Sequence, residues 1–120
     1  MIKIAVCDDE QLYMDNTGEM LRKYAEAHAE TFVIEYFVSS SMLLDRIEGG
    51  KRYDIYLLDI YMPGVSGMSV ATELRSKSIR SPIIFLTSST EHAVEAFGVD
   101  ATHYLLKPYT DQNFFAAMDK

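Results

Sequence analysis

The chain has 120 residues, 48% hydrophobic and 24% charged, with a formal net charge of −7. That length holds one domain with a real core, and the acidic balance argues against a nucleic-acid grip, which needs a basic face. An acidic domain suits a small cation or a basic partner surface, and a single cysteine, Cys7, excludes an internal disulfide and fits a reducing cytosol.

In chain order, Ile2–Cys7 is a strand-length run of near-continuous apolarity. Glu10–Ala29 has helical composition, with Met20, Leu21, Tyr24 and Ala25 on one stripe. Phe32–Phe37 reads as a second strand, and Ser40–Ile47 as a helix with Leu43, Leu44 and Ile47 spaced by three and four. Ile55–Leu58 is the third strand, and Gly67–Lys77 a helix carrying Val70, Ala71 and Leu74. Ile83–Leu86 follows as the fourth strand, then Glu91–Phe97 as a helix with Ala93, Val94 and Phe97 on its apolar side. Tyr104–Leu106 is the last strand, and Asp111–Met118 the last helix, with Phe114, Phe115 and Met118 inward. Ser39, Ser66 and Thr110 stand where helix caps are wanted, and Ser88 with Glu91 has capping-box spacing. Gly49, Gly50 and Gly98 follow helical patterns where a left-handed residue ends a helix. No stretch reaches signal-peptide or membrane-spanning length, so a cytoplasmic chain without a membrane partner is expected. The closing "TDQNFFAAMDK" stops inside a helical pattern, so a further C-terminal module is expected beyond residues 1–120.

Strictly alternating strands and helices point to an α/β fold, a parallel sheet with helices on both faces. In such sheets ligands sit beyond the carboxyl ends of the strands. Asp8, Asp9 and Glu10 follow the first strand, Asp59 the third, Thr87 the fourth and Lys107 the fifth. Parallel strands bring these groups to one end. Clustered carboxylates repel and raise one another's pKa, and a hard divalent cation such as Mg²⁺ removes that difficulty. An acidic run at a helix start also suits the helix dipole, and both readings can hold together. A metal and a lysine neutralise a transferring phosphoryl group, a hydroxyl holds one of its oxygens, and a carboxylate can be the nucleophile. Asp59 suits that last role because the chain breaks into Met-Pro-Gly soon after it. Gly64 and Gly67 are expected to give that loop its backbone freedom. Pro108 restricts Lys107 to extended conformations, and a cis bond there is one way to aim the lysine inward.

The blocks "VCDDE", "LLDIYMPGVSG", "FLTSS" and "YLLKP" resemble the four signatures of the response-regulator receiver domain of two-component signalling. They occur in the family's order across essentially the whole chain. "FLTSSTEHAVEAFGVDATHYLLKP" and the "CDDE" opening look most like receivers that precede a LytTR-type DNA-binding domain. The resemblance implies a doubly wound (βα)5 flavodoxin-like receiver fold with a parallel five-stranded sheet in the order 2-1-3-4-5. It implies Asp59 as phosphoacceptor and Asp9 as the direct acidic ligand of Mg²⁺ or Mn²⁺, with Asp8 as its neighbour acting through water. The Tyr61 backbone carbonyl would complete the metal site. Thr87 and Lys107 match the phosphate-contacting hydroxyl and lysine, and Tyr104 the aromatic switch. Tyr61 and Ser89 match positions that control access of the hydrolytic water. The implied partners are a sensor histidine kinase, a second copy on phosphorylation, and DNA only through a C-terminal module absent here. No turnover enzyme is implied beyond self-catalysed phosphotransfer and autodephosphorylation.

Two other readings compete. A phosphatase of the haloacid-dehalogenase type also uses an Asp after a parallel strand. It wants a second Asp two residues on, where this chain has Tyr61. A receiver used only for docking would not need the intact acidic pair, Thr87 and Lys107. Cys7, Tyr53 and Tyr56 read as packing residues, and His28 and His92 as solvated ones. His103 is expected on the opposite side of the last strand from Tyr104.

Overall fold

The computed structural model describes residues 1–62, 64–88 and 93–119. Ser89, Glu91 and His92, and with them the Ser88–Glu91 capping box, lie outside the described residues. Five strands alternate with five helices: β1 Ile2–Cys7, α1 Gln11–His28, β2 Phe32–Phe37, α2 Ser40–Glu48, β3 Ile55–Asp59, α3 Gly67–Ser76, β4 Ile83–Thr87, α4 Ala93–Gly98, β5 His103–Leu106 and α5 Asp111–Met118. The strands pair in parallel in the order β2-β1-β3-β4-β5. That is the doubly wound arrangement the sequence leads one to expect.

Side chains alternate across the sheet, and each face has its own core. Ala5 and Cys7 of β1 join Leu58, Phe85, Leu43 and Leu74 on the face covered by α2 and α3. Ile4 and Val6 join Leu57, Ile84, Leu21 and Phe114 on the face covered by α1 and α5. Every residue of β4 is buried, as expected of a strand covered on both sides. Truncating one such residue, Leu57→Ala for instance, is expected to cost about 2–5 kcal/mol.

Ser39, Ser66 and Thr110 cap α2, α3 and α5, accepting from the backbone N–H of Ser41, Ser69 and Asn113. Of the expected glycine terminators only Gly50 is left-handed, at φ 97°. Gly49 has φ −76°. Gly98 closes α4 itself, and Asp100 takes the left-handed position after it at φ 57°.

Two helical stripes differ from expectation. In α1 the buried residues are Met14, Thr17 and Leu21, while Met20, Tyr24 and Ala25 are only partly covered. Thr17 breaks the apolar pattern because its hydroxyl is satisfied by Tyr109, far along the chain. In α4, Ala96 is buried and Phe97 is 88% exposed. A helix of six residues makes fewer than two turns, so its apolar spacing does not fix which side meets the sheet.

Candidate functional site

The parallel register brings the strand ends together. Cys7 pairs with Leu58, Leu58 with Phe85, Asp59 with Leu86 and Thr87 with Leu106. Asp8 begins just past β1, tied by its N–H to the Phe37 carbonyl at 3.0 Å. Its Oδ1 accepts from the Glu10 N–H at 2.9 Å and so stands in for the side-chain cap that α1 lacks. Asp59 closes β3 and is 3% exposed, while Asp8 and Thr87 are fully buried. Lys107 follows β5, and its backbone N–H donates to the Thr87 carbonyl at 2.6 Å. The Lys107–Pro108 bond is cis.

The Lys107 ammonium lies 2.9 Å from Asp8 Oδ2, 3.3 Å from Asp59 Oδ2 and 3.3 Å from Glu10 Oε1. Its side chain is 3% exposed. Toward Asp8 Oδ2 the contact is an ion pair without hydrogen-bond direction. Burial pushes the Asp59 carboxyl up to about 7, against the pull of Lys107 and with added repulsion from Asp8 and Asp9. Burial works against the Lys107 charge, but close pairing with Asp8 and the charge of Asp59 outweigh it and hold the ammonium up to about 12.

Asp8, Asp9, Glu10 and Asp59 each offer a carboxylate oxygen, all within 4.8 Å of one another. An all-oxygen, strongly acidic donor set of this kind fits a hard divalent cation such as Mg²⁺. Tyr61, two residues past Asp59, is exposed at the rim. Thr87 Oγ1 is buried without a hydrogen-bond partner, a hydroxyl at the strand end that faces no acceptor of its own.

The loop after Asp59 uses its glycines differently from expectation. Gly64 has φ 79° and supplies the left-handed turn. Gly67 needs space rather than conformational freedom. A Cβ there would sit 2.0 Å from the Asp59 carbonyl oxygen, while the Gly67 N–H donates to the Ile60 carbonyl at 3.1 Å. The first turn of α3 is therefore pressed directly against the backbone of Asp59.

Tyr104 is partly buried against the α2/α3-side core, its ring 6.3 Å from that of Phe85. It borders a cavity of about 150 Å³ shared with Ala96, Phe97, Ala101 and His103. Cys7 is buried with its sulfur 3.7 Å from Ser40 Oγ and 3.7 Å from Met62 Sδ, and burial pushes its thiol up to about 12. A thiol so placed is inert packing, as the sequence suggests. Tyr53 and Tyr56 are likewise buried and pack edge to face at 5.6 Å. The contact of α1 with the segment after β5 leaves no sign in the sequence.

Residues 4–119 match the family model of the response regulator receiver domain. The chain belongs to that family. Its curated relatives include the sensory transduction protein LytT of Bacillus cereus, 30% identical over 100% of this chain and 47% of that protein. The transcriptional regulatory protein RprY of Bacteroides fragilis is 31% identical over 91% of this chain and 44% of that protein. The chain thus spans about half the length of the curated relatives it matches. Among solved structures, the response regulatory domain of protein mrkE from Klebsiella pneumoniae superimposes with a TM-score of 0.87 at 25% identity, covering 98% of this chain and 93% of that one. A CheY-like receiver domain from Methanospirillum hungatei shares the fold at a TM-score of 0.83 and 20% identity, covering 99% of this chain and 91% of that one. Relatives named LytT agree with the resemblance to LytTR-type receivers. Membership of the receiver family leaves the dehalogenase-type phosphatase reading without support.

Proposed function

We propose that this receiver takes a phosphoryl group from the phosphohistidine of a sensor histidine kinase onto Asp59 and converts that charge into a change of surface. The observation that carries this reading is the buried Asp59 carboxylate, held 3.3 Å from the Lys107 ammonium at the end of β3. An Asp59 oxygen attacks phosphorus as the N–P bond breaks, and the electron pair leaves with the imidazole, which takes a proton from solvent. Only ionised Asp59 is a nucleophile; burial raises its pKa to about 7 in the metal-free site, and a bound divalent cation would favour the ionised form. Asp8, Asp9, Asp59 and the Tyr61 carbonyl would hold Mg²⁺ or Mn²⁺, and that ion supplies charge neutralisation on the transferring group. Lys107 then pairs with a phosphoryl oxygen, and the partnerless Thr87 hydroxyl gains an acceptor.

Movement of Thr87 toward the phosphoryl group gives Tyr104 room to pack inward, which reshapes the α4–β5–α5 face. The remodelled face favours a homodimer and so brings together two output modules, of LytTR type and DNA-binding, in a longer chain. Bacterial relatives named as transcriptional regulators support that role, and a cytoplasmic setting follows from it. Among the described residues no helix is long and apolar enough to cross a membrane. Tyr61, exposed two residues past Asp59, would shield the aspartyl phosphate from water.

The test is labelling by a small phosphodonor such as acetyl phosphate with Mg²⁺. Asp59→Ala is expected to abolish it. A variant labelled as fast as wild type would show that the phosphoryl group goes elsewhere.

A further inference from the structure

Three acids surround the Lys107 ammonium, and an aromatic ring completes its environment. The Tyr13 ring centroid lies 4.2 Å from Lys107 Nζ, well inside the range where a cation is drawn to a ring face. That ring is itself braced. It tilts against Tyr109 at 6.2 Å, and Tyr109 packs on Phe114 at 5.9 Å. The Tyr109 hydroxyl pairs with the buried hydroxyl of Thr17. Tyr13 and Thr17 stand four residues apart, on one face of α1. Helix α1 thus presents a ring and a hydroxyl to the segment that carries Lys107.

The carboxylates alone do not fix the ammonium. A lysine head is a compact charge on a flexible four-carbon stem, free to serve any of several acceptors. Phosphoryl transfer to Asp59 moves negative charge outward, and the ammonium has to serve the new oxygens without swinging back to Asp8 or Glu10. A ring face has no hydrogen bond to break and no proton to exchange, so its attraction persists whichever acid is engaged.

We propose that Tyr13 is a positioning residue whose ring face holds the Lys107 ammonium over Asp59 during phosphoryl transfer. This rests on the reading of Asp59 as phosphoacceptor. Tyr13→Phe keeps the ring and Tyr13→Leu removes it, leaving a good helix former on a partly buried site. Without any phosphodonor, the Lys107 ε-methylene protons are expected upfield in wild type and Tyr13→Phe through the ring current, and near ordinary lysine values in Tyr13→Leu. With acetyl phosphate and Mg²⁺, Tyr13→Leu is expected to be labelled about threefold to tenfold more slowly, with Tyr13→Phe within about twofold of wild type. Unshifted Lys107 protons in wild type overturn the proposal, as does a Tyr13→Leu rate equal to wild type or a Tyr13→Phe rate as slow as that of Tyr13→Leu. Wild type that takes no label overturns the phosphoacceptor reading first and the role of Tyr13 with it, an outcome distinct from labelled wild type with an equally fast Tyr13→Leu.

Discussion

At the carboxyl end of the strands, Asp8, Asp59 and Thr87 are buried, and the Thr87 hydroxyl has no partner. At the opposite end, where Ile2, Phe32 and Ile55 begin their strands, the polar groups are more exposed and well engaged. The Tyr24 hydroxyl donates to Asp119 Oδ1 at 2.7 Å. The His28 ring, exposed to solvent as expected, also stacks on Tyr24 at 4.0 Å and lies 3.7 Å from Asp119. Phe115 meets Tyr24 edge-on at 5.2 Å. One end holds buried polar atoms whose environment opposes folding. The other holds surface pairs that favour it slightly. Removing polar groups should therefore change stability with opposite signs at the two ends.

At the two ends themselves, the largest effect is expected from disturbing the seat of the site. In Gly67→Ala the new methyl meets the Asp59 carbonyl oxygen at 2.0 Å and its carbon at 2.8 Å. Both are backbone atoms that no rotamer change can move. A loss of about 3 kcal/mol is expected by urea unfolding. A midpoint equal to wild type would mean that α3 is free to slide off β3.

Next comes Asp59→Asn. Burial raises the Asp59 pKa to about 7, so the folded state holds this proton more tightly than the unfolded chain does. The contribution of Asp59 is most favourable at low pH, where both states are protonated. It is lost progressively as pH rises from the ordinary carboxylate range through about 7. The amide carries no such penalty. Without metal, Asp59→Asn should stabilise the protein by on the order of 1–3 kcal/mol at pH 8, and by less as pH falls toward 4. A gain that does not vary with pH would show that ionised Asp59 is not the strained group.

The fold and the site were legible to different depths. Strands Ile2–Cys7 and Phe32–Phe37 keep the bounds read from the sequence, where Asp8 and Asp9 end the first run and Glu30 and Thr31 precede the second. Once the sheet is parallel, strand ends must converge, so Asp8, Asp59, Thr87 and Lys107 followed from position alone. Local spacing failed where orientation depends on distant partners. Thr17 looks out of place in α1 until Tyr109 meets it. Tyr13 gives no hint of Lys107, which is supplied by the other end of the chain. Gly67 looks like a flexible hinge, yet it is a contact point for the Asp59 backbone. Such pairings leave no periodic trace in the sequence.

Smaller effects sharpen the contrast between the two ends. Thr87→Val exchanges a buried, partnerless hydroxyl for a methyl of similar shape. Replacing such a group is neutral or favourable, so a gain of up to about 1 kcal/mol is expected alongside slower phosphoryl labelling. A clear loss of stability would mean that the hydroxyl is paired in solution.

The smallest effect belongs to Tyr24→Phe at the far end. It deletes the Asp119 bond while keeping the ring that stacks on His28 and meets Phe115. Because Asp119 is exposed, water replaces the lost donor, and a loss of about 0.5 kcal/mol is expected, near 2 °C in Tm. The sign matters more than the size. A variant more stable than wild type would place both ends of the sheet under the same strain. The site's buried polar groups would then no longer be set apart by their role.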